Sequence, residues 1–253
     1  MSDLKSDNAM HTSVGSHFGR PWIVVTGGTK GIGKAIIRRF VKDGFDAITV
    51  ARNAEDLEQF KKETEQEFPG STLLTYTADL GERSQLEAFV AYVKSQNRPL
   101  ELLVNNTGLF LPGEIHQEEE GTFEFLMNVN VASAYHLTRA LLPNMLERQR
   151  GYIVNVCSTA SITAYTNGGS YCISKFALLG MTKVLREELK TKGIKVTAVL
   201  PGAVYTNSWA GTDLPESRFM QPEDVAELLW TSYHLSPSAV VEEILIRPQL
   251  GDI

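Results

Sequence analysis

The sequence predicts a single doubly wound α/β domain in which a mostly or fully parallel seven-stranded sheet carries helices on both faces. Short runs rich in β-branched residues alternate with amphipathic stretches of ten or more residues, from residue 21 onward. Such alternation pairs the strands in parallel and joins them through right-handed crossovers. The first strand runs directly into a glycine-rich turn, and no repeat or linker divides the chain that follows. A ligand of such a domain is expected at the carboxyl ends of the strands.

The composition is that of one large domain with no sign of a membrane or nucleic-acid partner. The 253 residues are 43% hydrophobic and carry a net charge of −6, which disfavours nucleic acid or an anionic membrane as a partner. No apolar run reaches the roughly 18 residues of a membrane span, and the two cysteines indicate a reducing compartment. We therefore expect a cytoplasmic location. Residues 1–20 are polar and are expected to form a disordered leader before a domain at 21–253.

The individual elements follow from patterns that repeat along the chain. Strands are predicted where an apolar run is continuous, as expected when both faces of a strand are buried. Helices are predicted where apolar residues recur with helical spacing, and they end at signals such as Gly44 or Pro69-Gly70. In chain order the elements are strand 22–28, helix 33–44, strand 45–51, helix 54–68, strand 72–78, helix 82–95, strand 100–106, helix 123–150, strand 151–158, a helix beginning near 170, strand 194–201, helix 222–235 and strand 240–248.

The turn after the first strand has the composition of a phosphate-binding site. It reads "TGGTKGIG" at 26–33, and Gly27, Gly31 and Gly33 permit a tight turn with close approach of the backbone to a ligand. The helix that follows offers free N–H groups to a pyrophosphate. A glycine-rich turn can also be purely structural, so this motif needs support from the rest of the chain.

A tyrosine and a lysine lie four positions apart in "YCISK" at 171–175. On a helix this spacing places both side chains on one face, one turn apart. An ammonium group so close to a phenol would favour the phenolate, as a catalytic proton donor requires. The chain has eight tyrosines, so the pair alone also fits an accidental exposed helix pair.

Six motifs in order make the chain resemble the short-chain dehydrogenases/reductases. Two departures are mild: Thr107 replaces the family's usual alanine, and Cys157 stands where a second serine is common. The resemblance implies a Rossmann-type domain, a nicotinamide cofactor and hydride transfer to or from a carbonyl carbon. The motifs are T-G-x-x-x-G-x-G at 26–33, "ADL" at 78–80, "NNTG" at 105–108, "NVNVAS" around Asn130, "IVNVCSTAS" with Ser158 thirteen residues before Tyr171, and "PGAVYT" at 201–206.

The resemblance also assigns roles to particular residues. Tyr171 would donate the proton, and Lys175 would favour the phenolate and bind the nicotinamide ribose. Ser158 would hold the substrate oxygen, and Asn130 would hold a water that links Lys175 to solvent. The residues expected to bind the cofactor are Gly27, Thr29, Lys30, Gly31, Ile32, Gly33, Arg52, Asn53, Asp79, Leu80, Asn106, Gly108, Tyr171, Lys175, Pro201, Gly202, Val204 and Thr206.

The end of the second strand indicates which nicotinamide cofactor is used. An acidic residue there usually grips the adenosine ribose and repels a 2′-phosphate. Here Ala51 takes that position, Arg52 follows, and Lys30 in the glycine turn is expected to face the same region. Two cations without a carboxylate fit a 2′-phosphate, so we predict NADP(H) and reduction as the working direction. The alternative is that Arg52 is only a solvated loop charge.

The substrate is less well defined. The loop 205–219 offers Tyr205, Trp209 and Asp213 as substrate contacts, and this loop together with the terminal "VVEEILIRPQLGDI" resembles bacterial sepiapterin-reductase-like members of the family. A small ketone, such as sepiapterin or a diketone, is therefore the expected substrate. A pterin would need a carboxylate that accepts two hydrogen bonds, for which Asp213 and Asp252 are candidates.

Further expectations concern alternative functions, partners and metal binding. A 3-oxoacyl-[acyl-carrier-protein] reductase shares every catalytic motif, and its acidic carrier would need a basic landing area such as Arg148, Arg150, Lys190 and Lys192. A non-catalytic NADP-binding regulator is the alternative from another class.

The helix with "VNVASAYHLTRALLPNML" and the one from residue 170 carry apolar residues on more than one face, which predicts a homodimer or homotetramer. The histidines show no metal-ligand spacing, and "HQEEEG" around Glu118 is interpreted as a solvated helix start.

Overall fold

Seven parallel strands form one sheet in the order β3-β2-β1-β4-β5-β6-β7 in the computed structural model, which describes residues 19–206 and 211–253. The chain order reverses between β1 and β4, so the crevice of a doubly wound sheet opens at the carboxyl ends of these two strands. The predicted fold class is therefore confirmed. The strands are β1 (Trp22–Thr26), β2 (Asp46–Ala51), β3 (Leu73–Thr77), β4 (Leu100–Asn105), β5 (Gly151–Val156), β6 (Ile194–Pro201) and β7 (Glu243–Ile246).

Helices cover both faces of this sheet. One face packs an apolar cluster that includes Phe40 and Leu229, and the other packs a cluster that includes Phe89 and Leu141. Every residue of β1 is buried between the two clusters. The helices are α1 (Gly31–Lys42), α2 (Ala54–Glu67), α3 (Arg83–Ser95), α4 (Thr122–Met127), α5 (Ser133–Arg148), α6 (Gly169–Leu189) and α7 (Pro222–Tyr233).

The helical region predicted from about 123 to 150 is present, but it is not a single α-helix. A π-helical turn, Asn128–Ala132, separates α4 from α5. Such a turn inserts one extra residue into the helical ladder, and it is found most often at functional sites. Its middle residue is Asn130, whose side chain leaves the helix to bond another loop. The helical period of the sequence does not reveal such an insertion.

The amino-terminal end of the described chain is joined to the domain through Arg20. Arg20, the last residue of the predicted leader, bonds to the domain, since its Nε donates to the carbonyl of Gly44 over 3.1 Å. Residues 1–18 lie outside the described part of the chain, and so does the prediction that they are disordered. Among the helices that the structure describes, none combines the length and the apolar character that a bilayer crossing requires.

Candidate active site

The glycine turn between β1 and α1 is shaped for close approach of a ligand. Gly27 and Gly31 have φ values of +65° and +52°, in the region that favours glycine. A Cβ on Gly33 would lie 2.5 Å from the carbonyl oxygen of Gly27, so only glycine fits there. Lys30 precedes α1 without a side-chain cap, and the first turn of α1 carries no acidic residue. The N–H groups at this end of α1 therefore suit a pyrophosphate.

Asn106 braces this turn from the next strand. Its side-chain Nδ2 donates to the carbonyls of Thr26 and Gly27 over 2.9 and 3.1 Å. Its backbone N–H and that of Thr107 both donate to the hydroxyl of Thr26. The amide of Asn106 is thus used to join β4 to the glycine turn, and its predicted cofactor contact would have to come from other atoms.

The other predicted cofactor residues lie along the same carboxyl edge. Asp79 accepts from the N–H of Gly81 over 2.9 Å, while Leu80 is buried beneath it. Thr206 packs against the glycine turn, because a Cβ on Gly31 would lie 2.8 Å from its methyl carbon. Pro201 ends β6, Gly202 donates its N–H to the carbonyl of Ile246, and Val204 bridges to Met220. Thr29 belongs to the turn itself, and Ile32 lies in the first turn of α1.

The surroundings of Arg52 and Lys30, the predicted 2′-phosphate site, differ in one respect from the expected ones. Arg52 is exposed and makes no polar contact within 19–206 and 211–253, and Asn53 caps α2 by accepting from the N–H of Asp56. Lys30 does reach this corner, but its Nζ pairs with the carboxylate of Asp56 over 2.7 Å. The expectation that no carboxylate lies there is therefore wrong. Asp56 lies in the first turn of the next helix, and only the fold brings it to Lys30.

Tyr171 and Lys175 lie one turn apart near the start of α6. The Lys175 side chain is only 5% exposed, and its Nζ donates to the carbonyl of Val156 over 3.0 Å. This bond fixes the ammonium at the end of β5, 5.8 Å from the centre of the Tyr171 ring. A Cβ on Gly108 would lie 3.2 Å from the same Nζ, so the loop after β4 passes close to the lysine. A buried charge with a single protein acceptor has donors left for other partners.

Ser158 follows β5 and faces the same region of the fold. It lies before a short 3₁₀ turn, Thr159–Ser161, which packs against α6. Its Oγ accepts from the N–H of Ala160 over 3.1 Å. A serine hydroxyl has one donor and two acceptor positions, so the O–H of Ser158 is still available to a ligand oxygen.

Asn130 organises the active site from the π-helical turn. It is fully buried, accepts from the N–H of Leu109 over 2.7 Å and donates to the Leu109 carbonyl over 2.9 Å. Its Nδ2 also donates to the hydroxyl of Ser174 on α6 over 2.9 Å. The side chain therefore ties the loop after β4 to the helix of Tyr171. Its place in a proton relay remains a prediction.

The family follows from comparison with known proteins. The family model for short chain dehydrogenase matches residues 21–216. The chain belongs to the short-chain dehydrogenase family. It is an oxidoreductase, and the six motifs of the sequence lie together around the carboxyl edge of its sheet.

Similar members of the family have several activities. The chain is 32% identical to the sepiapterin reductase of Chlorobaculum tepidum over 91% of this chain and 97% of that protein. It is 33% identical to the NADP-dependent 3-hydroxy acid dehydrogenase YdfG of Salmonella typhi, over 82% of this chain and 87% of that protein. The L-sorbose reductase of Gluconobacter frateurii, solved with NADPH and L-sorbose, superimposes with a TM-score of 0.83 at 25% identity, covering 91% and 96% of the two chains.

Two aromatic residues that the sequence did not single out flank Tyr171. The ring of Phe110 packs edge-on against that of Tyr171, with 4.9 Å between their centres, and is 40% exposed. Tyr165 lies in the turn before α6; burial raises its pKa, and the nearby Tyr171 adds to the rise. Both positions follow motifs that sequence analysis had already placed at the carboxyl edge, so their nearness to that edge could have signalled them.

The predicted substrate residues do not gather around Tyr171. The ring of Tyr205 is tilted against that of Phe219, with 5.8 Å between their centres, and Tyr205 lines a cavity of about 530 Å³ that faces α1 and the start of α7. Asp213 is exposed and has no bond within 19–206 and 211–253, and Trp209 lies outside the described residues. Asp252 pairs with Arg247 over 2.8 Å, and its carboxylate would lie 3.0 Å from a Cβ on Gly202. Tyr205 and Asp213 belong to the loop after β6, and Asp252 lies against the start of that loop at Gly202.

The four basic residues proposed to receive a carrier protein lie at the opposite edge of the sheet. Arg148 and Arg150 precede β5, and both pair with Glu101. Lys190 and Lys192 precede β6. A strand of six residues spans about 17 Å, so the length of β5 separates these charges from Ser158 and Lys175. Because all four residues precede a strand of a parallel sheet, the order of the elements could already have placed them at this edge.

Proposed function

We propose that this dehydrogenase reduces a small carbonyl compound with NADPH and that Tyr171 donates the proton. The observation that carries the proposal is the Lys175 ammonium, which is buried and fixed by the Val156 carbonyl one helical turn from the Tyr171 ring. A buried cation needs a partner that repays its desolvation. Such partners are a Tyr171 phenolate formed beside the ammonium during turnover and the hydroxyl groups of a bound cofactor.

NADP(H) is the cofactor, and this chain's residues fit it. The glycine turn and the uncapped start of α1 suit the pyrophosphate, as a Cβ at Gly33 would collide with the backbone. The exposed and unpaired Arg52 suits a 2′-phosphate, for which a guanidinium offers a planar pair of donors. The Salmonella relative is described as NADP-dependent, and the structure of the sorbose reductase was solved with NADPH. When bound, NADPH supplies the hydride.

The side chains around Tyr171 carry out the remaining chemistry. The Ser158 hydroxyl donates to the carbonyl oxygen of the substrate and strengthens that bond as negative charge develops there. Tyr171 transfers its proton to the same oxygen. Lys175 stabilises the resulting phenolate, because its ammonium is held close by and away from bulk water. The Phe110 ring covers one side of Tyr171 and limits the access of water.

A flat or apolar ketone is the substrate class that these surroundings favour. Phe110 and Tyr165 place two aromatic side chains beside Tyr171, with 40% and 47% of their surfaces exposed. The similarity to a sepiapterin reductase extends over 91% of the chain and supports a pterin-like ketone. Asp252 is the candidate for gripping such a ring, since it lies against Gly202 beyond β6. We place the acyl-carrier alternative second, because the basic residues it relied on lie at the far edge of the sheet.

The central experiment compares Tyr171→Phe with the wild type. This change keeps the ring against Phe110 but removes the proton donor, so NADPH-dependent reduction is expected to fall by about 10²-fold or more, while NADPH binding stays unchanged. Sepiapterin, a diketone and an acyl thioester serve as substrates. Substantial turnover of every substrate by the variant contradicts the mechanism, and retained cofactor binding without any wild-type turnover favours the regulator.

We further propose a two-fold symmetric dimer built on α4, α5 and α6. An apolar groove of about 590 Å³ runs along these helices and is lined by residues that include Phe123, Met127 and Tyr135. On α6, Phe176 and Val184 are 46% and 56% exposed. Exposed apolar side chains of this size on adjacent helices are typical of surfaces that pair with a second copy.

A further inference from the structure

A carboxylate from the loop after β4 caps the helix that carries Tyr171. Glu118 Oε1 accepts from the backbone N–H of Ser170 over 2.7 Å, and its Oε2 accepts from the Ser170 hydroxyl. Ser170 is buried and immediately precedes Tyr171. The residue before α6 is Gly168, which provides no side-chain cap. The interpretation of Glu118 as part of a solvated helix start is therefore wrong, since 52 residues of chain separate it from the helix that it caps.

The backbone around this carboxylate is made of glycines that leave room for it. A Cβ on Gly169 would lie 2.1 Å from Glu118 Oε1, and one on Gly113 would lie 2.8 Å from Glu118 Cγ. Gly113 also forms a parallel bridge to Gly168, and its N–H donates to the carbonyl of Asn167 over 3.0 Å. The capping contact is therefore a close-fitting junction between two segments.

The same loop is fixed at its other end beside Tyr171. Asn130 makes two hydrogen bonds to the backbone of Leu109, and the adjacent Phe110 packs on the Tyr171 ring. The segment from 109 to 118 thus runs from the wall of the cleft to the start of α6. Its position relative to Tyr171 depends on both attachments.

The neighbouring acidic residues do not share this role. Glu119 and Glu120 are exposed, and neither side chain has a hydrogen bond or ion pair within 19–206 and 211–253. Glu118, Glu119 and Glu120 are therefore adjacent in the sequence but differ in their contacts. This difference provides a matched control.

We propose that Glu118 is a positioning residue for carbonyl reduction. It fixes the position of the Phe110 side chain relative to the Tyr171 hydroxyl. The proposal rests on the proposed function of Tyr171. A carboxylate at a helix N-terminus is favoured by the helix dipole and by the unpaired N–H groups there. Without it, the loop keeps the backbone contacts of Gly113 but loses its attachment to Ser170, so the substrate is held less well against the proton donor. Misplacement by about 1 Å is enough to lower turnover by up to about 10²-fold.

The test uses Glu118→Ala, Glu118→Gln and the control Glu120→Ala in the full chain. For Glu118→Ala we expect kcat to fall about tenfold or more and KM for the ketone to rise several-fold, with the Kd for NADPH within about twofold. Glutamine keeps an oxygen for the Ser170 N–H and an amide that donates to its hydroxyl, so Glu118→Gln is expected to restore most of kcat and KM. Glu120→Ala is expected to match the wild type.

Amide hydrogen exchange of the cofactor-free protein provides a second readout that needs no turnover. Glu118→Ala is expected to speed exchange in 109–121 and in the first turn of α6, and to leave the glycine turn at 26–33 unchanged. Faster exchange with unchanged kcat and KM overturns the positioning role, as does a glutamine variant as impaired as the alanine variant. If Glu118→Ala does not fold, Ser170→Ala, which removes one of the two bonds, must show a smaller change of the same kind.

The two proposals fail in different ways. Substantial turnover by Tyr171→Phe removes the proposed function but leaves the exchange result for Glu118 intact. Unchanged exchange in Glu118→Ala removes the positioning role, whatever the outcome for Tyr171.

Discussion

Replacing Arg52 with alanine is expected to weaken NADPH binding without affecting NADH. Arg52 is exposed and makes no polar contact in the described part of the chain, so its removal should not disturb the fold. A charge-assisted hydrogen bond contributes about 1.5–3 kcal/mol, which corresponds to about 10- to 150-fold in Kd. Because the site is open to solvent, the lower end applies, and we expect the Kd for NADPH to rise about tenfold. NADH has no 2′-phosphate, so its Kd should stay within about twofold.

The ion pair between Lys30 and Asp56 provides a second variant for this experiment. Lys30 pairs with Asp56 at an exposed position, and such a pair contributes about 0–1 kcal/mol. Asp56→Asn should therefore release Lys30 and tighten NADPH binding by up to about fivefold. Both nucleotides are titrated by their fluorescence at fixed ionic strength, with Lys62→Ala on α2 as the control for loss of an exposed positive charge. Equal losses of NADPH and NADH affinity in the Arg52 variant would refute the assignment of the 2′-phosphate site.

Three further predictions concern stability and assembly. Asn155 is fully buried and links Asn105 to Thr182, so Asn155→Ala should lower the free energy of unfolding in urea by about 2–3 kcal/mol; a loss below about 0.5 kcal/mol contradicts this network. Burial and two nearby arginines lower the pKa of His136, so the fold resists its protonation and loses stability as the pH falls below the unfolded value of about 6.5. His136→Asn should flatten that loss between pH 7 and 5, and an unchanged slope would show that another group causes it. Val184→Glu should convert a dimer to a monomer in light scattering at micromolar concentration, and a wild-type monomer would remove the dimer proposal.

Much of the candidate site could be described from the sequence because its residues come in short local patterns. The glycine turn, the tyrosine and lysine four residues apart, and the serine thirteen residues before the tyrosine each belong to a strand end or one helical face. The order of strands and helices then brings these patterns to one edge of a parallel sheet. The fold class and the placing of Lys175 beside Tyr171 needed no knowledge of distant contacts.

Other features depend on contacts between distant parts of the chain. Arg148 and Arg150 looked available to an acidic partner, but the fold pairs both with Glu101, almost 50 positions earlier. Near Arg52, the carboxylate of Asp56 forms an ion pair with Lys30. In both cases the sequence gives the charge of a side chain, whereas the fold decides which opposite charge lies within reach.

The sequence by itself determined the periodicity of the elements, the fold class and the residue types needed for hydride transfer in this family. Only the tertiary structure decided that Asn130 lies in a π-helical turn bonded to Leu109, and that Glu118 caps the helix of Tyr171. The physical reason is the range of the forces involved. Helical and strand patterns depend on neighbours within a few residues, whereas a cap supplied from 52 residues away exists only after the loops have packed together.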